Sequence, residues 1–187
     1  MKKFFAMVLA LAMILAMAAC AGSNSTAPET TVATTEAASA KEPLTQSLEQ
    51  LVEDIYAQQS VEFMVGTIPV DLADAEGSLF YFTGLTSAEG IKEAVASEAM
   101  IGSIPYSMVL VKVEDAANAK AVAETMKSGI DQRKWICVEA DDLQVSGYCD
   151  VVMLVMISSD YAADGVSAQA MTDAFQAVCG AELDFTI

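Results

Sequence analysis

The 187-residue chain has no histidine, nine basic residues against twenty-six acidic ones, four prolines and one tryptophan. The lack of histidine removes Ser-His and Cys-His nucleophile pairs and the commonest metal ligand. No serine or threonine lies three residues before a lysine, so the Ser-x-x-Lys arrangement is missing as well. The scarcity of lysine and arginine, at a net charge of −17, argues against nucleic acid, which needs basic patches to displace phosphate counterions. It argues equally against electrostatic attachment to anionic lipid headgroups.

Long apolar runs are also few, but one opens the chain. Lys2 and Lys3 precede an apolar stretch from Phe4 to Met17, which ends in Ala18-Ala19-Cys20. A basic start, an apolar segment and small residues before a cysteine form a lipoprotein export signal. Residues 1–19 are therefore expected to be removed by cleavage between Ala19 and Cys20, and the Cys20 thiol to carry a diacylglyceryl group. Met17 stands where such a signal usually has leucine. The alternatives are an ordinary secretory signal cut near Ala19 or Ala21, or a retained membrane span. The fourteen residues from Phe4 to Met17 are short for a span, which needs about 20, and a plain signal has no use for a cysteine at that place. The expected location is the outer face of the cytoplasmic membrane, lipid-anchored.

Cleavage removes two of the nine basic residues, leaving 7 − 26 = −19 for the mature chain. The lipid is then the membrane contact, while acidity holds the domain off the bilayer. Residues 20–42 are rich in Ala, Thr, Ser and Glu and read as a tether, spanning on the order of 25–30 Å if flexible. Residues 43–187 have the size of one ordinary domain.

Periodicity within that domain predicts an amphipathic helix from Leu44 to about Gln58 and a strand over the aromatic Ser78–Thr83. A Thr86/Glu89 capping box predicts a short helix through Ile91, Ala94 and Val95, with Ala96–Ser103 open to a strand reading. Ser107–Glu114 reads as a strand and Asp115 as the cap of a helix reaching about Arg133. A hairpin turning at Ser146-Gly147, a helix beginning at Ser167 and stopped by Gly180, and a closing strand over Leu183–Ile187 complete the pattern. From Tyr106 onward this is β-α-β-β-α-β, the ferredoxin-like order. Val151–Ile157 is seven apolar residues without alternation, a strand covered on both faces. Two helices on one face leave the other to the N-terminal helix, the aromatic strand at Leu79–Phe82 or a second subunit, and the N-terminal segment is the expected cover. The fold class expected is thus α+β, an antiparallel sheet with helices packed on it.

The run Tyr106–Asp115, the helix ending at Arg133, and Gly147-Tyr148 leading into an apolar strand resemble a domain of unknown function found in small lipoproteins of Gram-positive anaerobes. Phe82-Thr83-Gly84-Leu85 and Ser97–Ile101 match its upstream half. That family's acidic residue before the central strand is replaced here by Tyr106-Ser107. The resemblance implies an exported, membrane-tethered domain and carries no activity.

Candidate chemical groups are sparse. Asp141-Asp142 are neighbours on a strand and point to opposite faces. Asp71–Gly77 and Asp160–Gly165 are acidic loops that miss the EF-hand ligand positions at Leu72, Thr83, Ala162 and Met171. Cys137, Cys149 and Cys179 form no Cys-x-x-Cys unit. Arg133-Lys134-Trp135 places a basic pair beside the single tryptophan, a candidate recognition point for a carboxylate or a sugar. No metal site, cofactor or catalytic constellation is implied. The reading is a non-catalytic domain that binds an envelope protein or small ligand, with a small envelope enzyme using carboxylates or Cys137 as the competitor.

Overall fold

The computed structural model describes residues 41–187. Ala19, Cys20 and the tether up to residue 40 lie outside the described residues. Helix α1 (Leu48–Gln58) begins where Ser47 accepts the Gln50 amide, and it buries Leu48, Leu51, Val52 and Ile55. Strand β1 (Val65–Pro69) follows, then a helical turn over Ala75–Leu79 running into the short helix α2 (Phe80–Thr83). Next come β2 (Ile91–Ala99), β3 (Tyr106–Val113), α3 (Ala119–Gly129), β4 (Asp142–Tyr148), β5 (Val151–Ile157), α4 (Ala168–Cys179) and β6 (Phe185–Thr186). The fold is α+β: one six-stranded antiparallel sheet in the order β1-β2-β3-β5-β4-β6, with helices packed on it.

Strand β5 sits inside the sheet between β3 and β4, and all seven of its side chains are buried. Each is worth about 1.5–3 kcal/mol of transfer from water. Met153, Val155 and Ile157 face one core with α1 and α4, whereas Val152, Leu154 and Met156 face a second core with α3, Leu79 and Leu85. The sheet is therefore the middle of three layers.

The two C-terminal helices lie on opposite faces, not on one face as the β-α-β-β-α-β pattern led us to expect. The reason is topological. The edge of β3 is occupied by β2, so β6 pairs with the far side of β4. The connections β3-α3-β4 and β5-α4-β6 then step across the sheet in the same direction on oppositely running strands. Right-handed crossovers in such a pair put their helices on opposite faces.

Four local expectations are corrected. Ser78–Thr83 is helical, because the Asp74 carboxylate accepts the amides of Gly77 and Ser78 at 3.0 and 2.9 Å and Gly84 closes the turn at φ 73°. Thr86–Val95 is not a helix: Gly90 at φ 75° breaks the chain direction and Ile91 starts a strand that zips onto β3. The hairpin turns at Cys149-Asp150, with Cys149 at φ 51°. Gly147 stays in β4, where a Cβ would collide with the Phe185 ring. Finally, α3 stops at Gly129, whose Cα packs against the Gly84 carbonyl, so residues 130–141 form a loop. Strand β1, with no alternating pattern around Gly66 and Pro69, has no counterpart in the sequence reading.

Candidate functional site

That loop carries the Arg133-Lys134-Trp135 cluster, and the fold divides it. Arg133 points outward, 75% exposed, and holds Glu139 through Nη2 at 2.6 Å. Lys134 turns the other way and is only 3% exposed. Its Nζ lies 2.5 Å from Oε1 of Glu98, an ion pair outside hydrogen-bonding geometry, and 3.3 Å from both the Ser107 hydroxyl and the Tyr81 carbonyl. Two of the ammonium's three N–H bonds thus have hydrogen-bond acceptors, and the Glu98 carboxylate balances its charge. The rings of Tyr81, Trp135 and Phe82 surround it, with centroids 4.5, 5.3 and 5.4 Å away. Trp135 packs on the second core.

Register explains why these groups meet. Glu98 pairs with Gly66 on one side and Ser107 on the other, and Ser107 pairs with Met156. All four lie in one row on the α3 face of the sheet, near the end that α3 does not reach. Lys134 spans the row from the loop and ties α2 down with it. Burial lowers the Lys134 pKa, and Glu98 opposes that shift. The Tyr81 hydroxyl is pushed up by burial first and by Glu98 second. Tyr106, on the opposite face, is raised well above its usual value by burial and by its contact with Tyr56 at 3.0 Å; it belongs to a core hydroxyl chain with Ser97.

Beside the ion pair lies a recess of about 440 Å³ lined by Phe80, Tyr81, Ser78, Glu76, Asp131 and Lys134. Phe80 and Tyr81 are each 41% exposed, a large apolar surface to leave open on so acidic a chain. A wider recess of about 530 Å³ lies between the Thr86–Ile91 turn and α3, but its mixed lining of aliphatic and polar side chains holds neither a ring nor a buried charge. The first recess is therefore the better candidate. Sequence reasoning named Lys134 and missed Glu98, Phe80 and Tyr81. Glu98 had one available signal: it is a lone carboxylate in the apolar run from Ala94 to Ile101 that also holds Ser97.

The other candidates are accounted for by local structure. Asp141 accepts the Ser159 amide and hydroxyl at 2.6 and 2.7 Å, which lowers its pKa, while Asp142 accepts the Ala168 amide at the start of α4. Asp71 and Asp74 are engaged with the amides of their own loop. Among the described residues no three acidic or cysteine side chains converge as metal ligands. Cys137 is exposed at φ 64°, and Cys149 and Cys179 are half-buried. Burial raises both half-buried thiols, that of Cys179 to about 12.

Comparison with protein-family models gives no match, and none is found among curated proteins or solved structures. Among the described residues no helix is long and apolar enough to cross a membrane.

Proposed function

We propose that this chain is a lipid-anchored extracytoplasmic binding domain, held to the membrane through Cys20 and contacting its ligand or partner at the recess over Phe80 and Tyr81. One observation carries the reading: two adjacent aromatic side chains stand half-exposed beside a buried ion pair that fixes their backbone. A contact surface built this way is rigid before binding, so little ordering entropy is lost when a ligand arrives. The Met17-Ala18-Ala19-Cys20 signal supports the anchor, and the acidic, histidine-free composition supports a role without nucleophilic catalysis.

The test has two arms. Globomycin treatment of cells making the full chain should retain a heavier precursor, and Cys20→Ala should release the protein from the membrane fraction. A photo-crosslinking phenylalanine placed at Phe80 should give adducts absent when the same group replaces Gln176, exposed on α4. Equal yields at the two positions would remove the recess from the proposal, and an unchanged precursor mass would remove the anchor.

A further inference from the structure

We propose that the recess takes an organic ammonium, either a free amine or a lysine side chain of a partner. This deepens the binding reading above and rests on it. The lining explains the preference. Its backbone donors are already committed, since the Gly77 and Ser78 amides donate to Asp74. Its single cation is committed as well: Lys134 donates to Ser107 and the Tyr81 carbonyl, and the buried ion pair with Glu98 neutralises its charge. What the lining offers is the carboxylate of Glu76, that of Asp131, whose Oδ1 accepts the Arg133 amide and whose Oδ2 is left to a ligand, and the half-exposed rings of Phe80 and Tyr81.

Each ligand class meets that surface differently. An anion faces two carboxylates and the negative ring faces, with no uncommitted cation to receive it. A neutral apolar molecule covers the rings but strips water from carboxylates it cannot pair, which is costly. An ammonium satisfies both features, pairing with a carboxylate while its charge and methylenes lie against an aromatic face.

The experiment is a titration of the ¹⁵N-labelled full chain in detergent micelles, following the amides of Gly77, Ser78, Phe80 and Tyr81. The probes are cadaverine, the blocked tripeptide Ala-Lys-Ala, 1-pentanol and pentanoate. Saturable shifts with cadaverine or the tripeptide are expected, weakened at least tenfold in Tyr81→Leu and in the Glu76→Gln/Asp131→Asn pair. Saturation by cadaverine alone identifies a free amine, and by the tripeptide alone a partner lysine; both support the class. The inference is overturned if pentanol or pentanoate binds as tightly as the amines, or if the amine shifts survive both variants unchanged. Pentanol saturation without amine binding defeats the ammonium class and leaves the binding reading standing. Failure of all four probes defeats the ammonium class too, and joined to equal crosslinking at Phe80 and Gln176 it also removes the recess as a contact.

Discussion

Lys134 and Glu98, thirty-six positions apart, meet as a buried ion pair at 2.5 Å on the α3 face of the sheet, at the end that α3 does not reach. The pair joins a loop to the row Gly66-Glu98-Ser107-Met156, and through the Tyr81 carbonyl it holds α2 in place. Removing one partner leaves the other charge buried and alone, which costs about 3–5 kcal/mol. Lys134→Met should lower unfolding stability by that amount in urea titration. The double variant Lys134→Met/Glu98→Gln should lose clearly less than the sum of the single changes. Additive losses would show that the two side chains do not interact.

Alkaline stability should be governed by the core tyrosines. The folded pKa values of Tyr106 and Tyr56 lie above 10.0, chiefly through burial. As pH passes 10 the unfolded tyrosines lose protons that the folded ones keep, so the native state binds more protons and stability falls with rising pH. Lys134 acts in the opposite sense, because its folded pKa is below 10.5 and its contribution rises with pH up to that value. Tyr106→Phe should therefore show a shallower loss between pH 10 and 11 in denaturant titrations. A slope equal to the wild-type slope would rule out Tyr106 as a source.

The three thiols of the folded domain should react in a fixed order. Cys137 is exposed, whereas Cys149 and Cys179 are half-buried with raised pKa values. At pH 8 an aromatic disulfide reagent should modify Cys137 first. The other two should react at least tenfold more slowly until urea is added, because the thiolate is the attacking species. Peptide mapping of the singly modified protein checks this, and a first label on Cys179 contradicts it.

The contact between Gly84 and Gly129 should tolerate no side chain. Gly84 has φ 73°, and a Cβ there would meet the backbone of Gly129 and Ile130. Gly84→Ala should cost more than the ~1 kcal/mol of a left-handed alanine alone, since α2 must also lift from α3. Gly90→Ala, at a similar φ of 75° with open space around it, separates the two effects in thermal unfolding. Equal losses in both variants would mean that packing adds nothing at Gly84.

Legibility followed the range of the forces. Helix α4, the body of α1, the caps at Asp115 and Ser167 and the stop at Gly180 depend on side chains within a few residues of one another, and these were readable, whereas α1 begins at Leu48 behind a Ser47 cap and not at Leu44 as its periodicity suggested. The strand or helix state of Phe80-Tyr81-Phe82 was not. Aromatic residues favour strands, but here a local aspartate cap and a distant lysine hold them helical. Glu98 was missed for a related reason, because its segment read as equally helical or extended until β3 supplied the edge it pairs with.

The chain alone determined the α+β class and the burial of Val151–Ile157 on both faces, since each rests on residue type or short periodicity. Only the tertiary structure decided that α3 and α4 take opposite faces, because that depends on β2 occupying the edge of β3. It also decided that Arg133 faces water while Lys134, its neighbour, faces Glu98. A sequence places residues in order, but a buried charge points wherever the fold has left an opposite one.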